Sequence, residues 1–232
     1  ISQIMKKVFF SFLIFLFISN HLYSEINKPN NNFSGCDNEV SKEYLNNIDN
    51  YIIKKIEIDI NNYKKWTVNN IRIITSGSRF ISDKLKKRFK STVTVTYENG
   101  TKCSLKAKVR QSGDAKDHIA LKNNSVIQSL DISLDNGNIK GITKFKLYKP
   151  DVRGVLDDVV IQTQLLRNFD YLAPRSYKVK ARVNEINSVM LFQEKASKEL
   201  LEFNKRREGP ILEADQKFFF NLVRSYLMNL LR

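Results

Sequence analysis

Alternation of apolar and polar residues near mid-chain is the feature that most constrains the fold. In the stretch Thr143–Tyr148, Phe145 and Leu147 alternate with Lys144 and Lys146. Because successive side chains of a β-strand point to opposite faces, this strand has one apolar face and one cationic face. A half-buried sheet with solvated lysines explains the pattern. The alternative interpretation is a cationic face that borders a binding cleft.

The same alternation predicts two β-hairpins, one on each side of this strand. Before it, Val93–Tyr97 and Cys103–Val109 are joined by an Asn-Gly turn. After it, Tyr177–Val183 and Val189–Phe192 are joined by the turn Asn184–Asn187. Antiparallel strands are therefore expected to make up most of the structure.

Three helices are predicted around these strands. Val155–Phe169 has the 3.6-residue period of a helix packed on a sheet, Val40–Lys55 reads as a short amphipathic helix, and Glu194–Arg207 has opposite charges four residues apart. Asn62–Asn70 is predicted to be a turn and Ile71–Ile73 a short strand. The predicted fold class is thus α+β, an antiparallel sheet with packed helices.

The N-terminal segment has the layout of a secretory signal peptide. Lys6 and Lys7 precede the apolar run Val8–Ile18, and polar residues follow as far as Ser24. The run is too short to span a bilayer comfortably. We therefore expect an exported protein, periplasmic, in the cell envelope or extracellular. An uncleaved segment that anchors the chain to the membrane is the alternative.

The charge of the chain favours polyanionic partners. The formal net charge is +15, and removal of residues 1–24 with Lys6 and Lys7 leaves +13. Export argues against nucleic acid as the partner, as does the lack of a basic run interleaved with several aromatic residues. Expected partners are an exported protein substrate, a coat or envelope protein, or an anionic envelope polymer.

The only two cysteines, Cys36 and Cys103, predict one disulfide in an exported chain. The bond would tie the N-terminal arm to the sheet, and the loop-entropy model gives it about 4 kcal/mol. Once the signal segment is removed, His118 is the only histidine left to join the cysteines. The sequence therefore gives little support to a metal site.

Five segments carry a resemblance to a known family. In chain order they are R-Q-S-G-D-A-K-D-H (110–118), I-T-K-F-K-L (142–147), L-L-R-N-F-D-Y-L-A-P-R (165–175), V-N-E-I-N (183–187) and L-F-Q-E-K (191–195). Together they resemble the CotH (spore coat protein H) family of atypical secreted kinases, over roughly residues 107–210. The resemblance implies the small, N-terminal lobe of a kinase-like fold.

The resemblance also implies a nucleotide-binding role for five residues. Arg110 and Gly113 would belong to the turn over the phosphates of ATP, where backbone N–H groups need a close approach. Lys146, or its competitor Lys144 on the same face, would reach those phosphates. Glu194 would lie near the cleft or orient the lysine. The structural alternatives are a surface ion pair for Arg110, a turn glycine at 113, and an exposed helix start at Glu194.

ATP and Mg²⁺ are the cofactors that the resemblance implies. Phosphoryl transfer needs carboxylates that hold Mg²⁺, and in such kinases these lie in the larger lobe, after the position of Glu194. Here Asp215 is the nearest candidate, so we expect a truncated chain. The expected parts are a signal peptide (1–24), a leader and short helix (25–55), a CotH-like small-lobe domain (56–210) and the start of a truncated C-terminal helical region (211–232).

Two functional hypotheses follow. The first is the N-terminal portion of an exported CotH-like kinase, inactive alone, whose full form would phosphorylate Ser or Thr of exported proteins. The second is a non-catalytic basic envelope or coat protein that binds anionic polymers or protein partners. Magnesium-dependent ATP binding that is lost in Lys146→Ala would favour the first, and salt-sensitive polyanion binding alone would favour the second.

Overall fold

A closed β-barrel dominates the computed structural model, which describes residues 51–122, 125–212 and Val223. The elements are β1 (Ile53–Ile60), α1 (Tyr63–Thr75), β2 (Phe89–Tyr97), β3 (Lys102–Gln111), β4 (Ile119–Lys122), β5 (Ser125–Gln128), β6 (Leu130–Leu134), β7 (Lys144–Tyr148), α2 (Leu156–Asn168), β8 (Ser176–Val183), β9 (Ile186–Glu194) and α3 (Lys198–Phe203). The predicted signal peptide, Cys36, Asp215 and nearly all of the predicted C-terminal region lie outside the described residues.

The barrel is closed by a pairing between its first strand and a strand late in the chain. The strand order is β1-β2-β3-β6-β7-β9-β8, and β8 returns to pair with β1 from Lys55↔Lys180 to Ile58↔Val183. This contact is parallel, whereas the other six are antiparallel. Closure leaves the barrel strands no unpaired edge. Strands β4 and β5 form a separate two-stranded sheet.

Side chains fill the barrel interior because every strand turns alternate residues inward. In β2, for example, Val93 and Val95 are fully buried, while Thr94 between them faces outward. Inside the barrel Phe145 of β7 stacks on Phe192 of the neighbouring strand β9, with ring centroids 4.5 Å apart. Burial of each such side chain contributes about 1.5–3 kcal/mol to folding, so the barrel is a packed core.

The predicted fold class is wrong. An α+β antiparallel sheet with packed helices, as in the small lobe of a kinase-like fold, has an open sheet with one face under helices. Here the sheet curls until β1 and β8 meet, and its apolar face is covered by the opposite wall of the same barrel. The mixed barrel carries three α-helices in the described part of the chain.

Three local predictions are also corrected. The predicted turn and short strand after residue 61 form one helix, α1, because Trp66, Asn70 and Ile73 recur at helical spacing on its buried side. Most of the predicted helix over residues 40–55 lies outside the described residues, and its last three residues belong to β1, which begins at Ile53. The predicted helix from Glu194 is short, because Glu194 ends β9 and α3 starts at Lys198.

Helix α2 is observed where the 3.6-residue period predicted it, but it is less buried than expected. Thr163 is its only fully buried residue, while Ile161 and Leu165 are 63% and 52% exposed. The helix lies beside β8, where Lys178 pairs with Asp157 at 2.8 Å. No helix within the described ranges is long and apolar enough to cross a bilayer.

Both predicted hairpins are confirmed. In the first, Val95 of β2 lies opposite Cys103 of β3. In the second, β8 and β9 pair as far as Val183 and Ile186, so the turn is shorter than the sequence suggested. Cys103 is buried and is not a free thiol; its pairing with Cys36 stays a prediction.

Candidate functional site

A row of polar side chains crosses the outside of four barrel strands. Arg110 of β3 lies opposite Asp131 of β6, Asp131 lies opposite Lys146 of β7, and Lys146 lies opposite Gln193 of β9. Neighbouring strands are about 4.8 Å apart. Arg110 and Lys146, two of the predicted site residues, are distant in the sequence. The barrel places them on strands to the two sides of Asp131.

Asp131 organises this row. The Arg110 Nε and Nη2 atoms donate hydrogen bonds of 2.9 and 2.7 Å to Asp131 Oδ2, and the Lys195 Nζ atom lies 3.3 and 3.2 Å from the two carboxylate oxygens. The aspartate side chain is 3% exposed, against 36% for Arg110 and 24% for Lys195. One buried carboxylate thus holds two partly exposed cations in place.

The protonation of Asp131 follows from these contacts. Burial alone would raise its pKa, but the hydrogen bonds and charges of Arg110 and Lys195 outweigh burial and hold the pKa below its ordinary value. Asp131 is therefore ionised at neutral pH and remains a fixed acceptor for both cations.

Lys144 and Lys146 share the outer side of β7 but differ in their surroundings. Lys144 is exposed, and its register partner Ser133 lies in turn opposite Lys108. Lys146 is half-buried, and its Nζ atom lies 6.0 Å from the ring centroid of Tyr148. Lys146 is thus the more constrained of the two lysines.

Five cations therefore share one side of the barrel. We call this surface the basic face, and its members are Lys108, Arg110, Lys144, Lys146 and Lys195. Within the described residues, Arg110 and Lys195 pair with Asp131, and Lys108 pairs with Asp135 at 3.3 Å. The charge of Lys144 also acts on the carboxylate of Glu199.

An aromatic cluster borders the basic face beyond Lys146. The Arg153 Nη2 atom donates a 2.9 Å hydrogen bond to the Tyr148 hydroxyl, and the guanidinium lies 4.5 Å from the Tyr148 ring centroid. The His118 ring lies 6.0 Å from the same ring. Tyr148 therefore links His118 to the cationic surface.

His118 responds to the positive charge around it. Burial lowers its pKa below the ordinary value, and the charges of Arg153 and Lys146 lower it further, although Asp117 acts in the opposite direction. The imidazole is therefore neutral at pH 7.

Gly113 lies in the turn after β3 and packs directly on His118. Its φ of +87° is a conformation that favours glycine, and a Cβ atom there would lie 2.0 Å from the His118 Cδ2 atom. The predicted turn thus packs on His118, and the predicted lysine, Lys146, acts on the same imidazole through its charge. Gly113 is needed here for close packing on a side chain.

Glu194 faces the inner side of the barrel sheet, opposite to the basic face. Its register partner is Phe145, whose side chain is buried in the barrel, whereas Lys144 and Lys146 point outward. The Glu194 carboxylate pairs with Arg175. The sheet thus separates Glu194 from the two lysines that it was predicted to orient.

Sequence reasoning missed Asp131, Lys195 and Arg175. Asp131 breaks the apolar run of β6 on its outward side, which is a signal that strand alternation offers. Lys195 and Arg175 carry no comparable local signal, because their partners are 64 and 19 residues away.

Metal ligands are scarce near this surface. Among the described residues, no group of three His, Cys, Asp or Glu side chains could hold a metal ion. Asp131, the carboxylate at the centre of the basic face, is engaged by Arg110 and Lys195. These residues do not fit the oxygen-rich ligand set that Mg²⁺ requires.

No family model matches the chain, and no curated protein matches it. The resemblance to the CotH family therefore rests on the five sequence segments alone and stays a prediction.

Proposed function

We propose that this protein binds a phosphate-bearing or otherwise polyanionic partner through the basic face. The observation that carries the proposal is the buried Asp131, which holds Arg110 and Lys195 beside Lys146 on one outer surface. Cations that are positioned before a ligand arrives lose less conformational entropy on binding.

The chemistry of the five cations suits phosphate or sulfate groups. The planar guanidinium of Arg110 presents several donors in a fixed fork, while Lys144 and Lys146 act as mobile point charges. Because five cations share this surface, a ligand that carries several negative charges gains most. This favours the hypothesis of a non-catalytic basic envelope or coat protein that binds an anionic polymer.

Export belongs to the same proposal. The layout of residues 1–24 and the predicted Cys36–Cys103 disulfide support a location outside the cytoplasm. Anionic polymers of the cell envelope are then the partners that the basic face would meet.

A second candidate is the nucleotide-binding portion of a CotH-like kinase that acts on Ser or Thr of exported proteins. It is favoured by His118, on which the turn at Gly113 packs and on whose pKa the charge of Lys146 acts. In this candidate the basic face would hold the phosphates of ATP. The described residues do not fit a site for Mg²⁺.

Titration calorimetry with two ligands separates the candidates. Inorganic polyphosphate and ATP, the latter with and without Mg²⁺, would be added to the wild type, to Lys146→Ala and to the charge-matched control Lys180→Ala. Lys180 is exposed on β8, three strands round the barrel from β6.

The proposal predicts salt-sensitive polyphosphate binding that weakens in Lys146→Ala and persists in Lys180→Ala. Tight ATP binding that requires Mg²⁺ and is lost in Lys146→Ala would contradict the proposal and favour the kinase candidate. Equal loss in both variants would show that net charge, and not the basic face, attracts the ligand.

A further inference from the structure

A cavity lies away from the basic face, between α1, β5 and the turn that joins β8 to β9. Its volume is about 380 Å³, and its lining includes Tyr63, Trp66, Asn70, Gln128, Asn184 and Glu185. Tyr63 is 43% exposed and Glu185 is also exposed, so the cavity reaches the surface. Its size is in the range of sites for small molecules.

Three residues that line this cavity each have one buried amide atom without a hydrogen-bond partner. Within the described residues, Asn70 Oδ1, Gln128 Oε1 and Asn184 Nδ2 have no partner, although the Asn70 and Gln128 side chains belong to residues only 2% and 4% exposed. An unsatisfied buried polar atom costs about 1–3 kcal/mol. Three such atoms from three different elements indicate a place that a ligand completes.

The orientation of Asn184 is fixed by the barrel. Its Oδ1 atom accepts a 2.8 Å hydrogen bond from the Ile60 backbone N–H, and its own N–H donates to Ile58 O at 2.7 Å. Because Oδ1 is already engaged, the Nδ2 atom is the group left to serve a ligand. The cavity therefore offers one amide donor and two amide acceptors.

A hydroxyl group matches this set, because it donates one hydrogen bond and accepts others. Glu185 is the one charged residue among the described lining, which disfavours an anion. Tyr63 and Trp66 add apolar surface for the C–H groups of a sugar ring. We propose that this cavity binds a neutral saccharide of one or two rings.

The test uses the full chain, labelled for observation of side-chain amides by NMR. Glucose, galactose, N-acetylglucosamine and cellobiose would each be titrated into the wild type, Asn70→Leu, Gln128→Met and the control Asn187→Ala. Both cavity substitutions remove a buried amide with little change in volume, and Asn187 is an exposed amide on β9. Unchanged backbone spectra establish that a variant is folded.

We expect at least one saccharide to shift the side-chain amide resonances of Asn70, Gln128 and Asn184 saturably. Each cavity substitution should weaken that binding about tenfold or more, whereas Asn187→Ala should bind like the wild type. If every saccharide leaves the three resonances unmoved, the amides serve water only and the proposal is overturned. Displacement of these resonances by inorganic phosphate instead would also overturn it.

If a cavity variant does not fold, the thermal stability of the wild type provides a second test. The wild type should gain thermal stability with the bound saccharide, because a ligand that binds the native state raises its Tm. No gain with any of the four sugars would count against the site. Neither result depends on the basic face, so this test and that of the proposed function fail independently.

Discussion

Arg175 and Glu194 form an ion pair inside one end of the barrel. The Arg175 Nε and Nη2 atoms donate to the Glu194 Oε2 and Oε1 atoms at 2.9 and 2.7 Å, and the two side chains are 1% and 0% exposed. The guanidinium also donates to Lys140 O at 2.6 Å and lies 3.9 Å from the Phe203 ring centroid. The pair ties the segment before β8 to the end of β9.

Removal of one partner should be costly. Glu194→Ala leaves the Arg175 charge buried without its carboxylate, and we expect the free energy of unfolding to fall by about 3–5 kcal/mol. Urea denaturation measures this loss. The double variant Arg175→Met with Glu194→Leu should cost clearly less than the sum of the single variants. Additive effects would contradict a coupled buried pair.

Gly113 and Gly100 provide a matched pair of substitutions. Both have φ +87°, but a Cβ atom at Gly100 has open space, whereas one at Gly113 lies 2.0 Å from His118 Cδ2. Gly100→Ala should lower the free energy of unfolding by about 1 kcal/mol through backbone strain alone. Gly113→Ala should lower it further, because His118 must also move. Thermal unfolding compares the two, and equal losses would contradict the close packing.

The basic face should tune the titration of His118. Lys146 lowers the pKa of His118 through its charge, so Lys146→Ala should raise that pKa toward the ordinary value. Bound polyphosphate should raise it too, because it cancels part of the same repulsion. An NMR pH titration of the imidazole resonances measures both effects. Lys180→Ala is the control. A His118 pKa that is unmoved in Lys146→Ala would contradict the effect of the Lys146 charge on the imidazole.

Acid should destabilise the barrel through Glu57. The hydrogen bond from Arg182, 2.8 Å long, and a further one from Lys55 lower the Glu57 pKa from 4.5 to about 2. The folded pKa is depressed, so this stabilisation is present above the unfolded pKa and is lost as pH falls from about 4.5 to about 2.

Glu57→Gln should accordingly show a smaller loss of stability over that pH range than the wild type. Glu98→Gln removes a carboxylate at the exposed turn between β2 and β3 and serves as the control. Unfolding by urea at a series of pH values gives the comparison. Parallel pH profiles for Glu57→Gln and the wild type would exclude Glu57 as the source.

Strands were predictable where the alternation of apolar residues and the partner strand are both local in the sequence. Apolar residues alternate within Val93–Tyr97 and within Cys103–Val109, and these two strands are consecutive in the chain and pair with each other. Barrel closure was not predictable in the same way, because β1 pairs with a strand that begins more than 100 residues later. Helix α1 was missed because two of its buried residues, Asn69 and Asn70, are polar and hide the apolar period.

The features of the candidate site also differ in how far the sequence predicts them. Alternation places Lys144 and Lys146 on one outer face, and the structure agrees. The positions of Arg110 and Lys146 on the two sides of Asp131 depend on strand register, which composition and period do not contain. The resemblance to the CotH family implied that Glu194 lies near a cleft or orients the lysine, yet its position opposite Phe145 turns it inward.

The salt dependence of polyphosphate binding tests the central claim most directly. The logarithm of the binding constant would be plotted against the logarithm of salt concentration for the wild type, for Lys144→Ala/Lys146→Ala, and for Lys54→Ala/Lys180→Ala, a pair of exposed lysines on β1 and β8. We expect the first double variant to bind more weakly with a slope smaller by about 2, one for each lost contact, and the second to keep the wild-type slope. Equal slopes for the two double variants would contradict binding at the basic face.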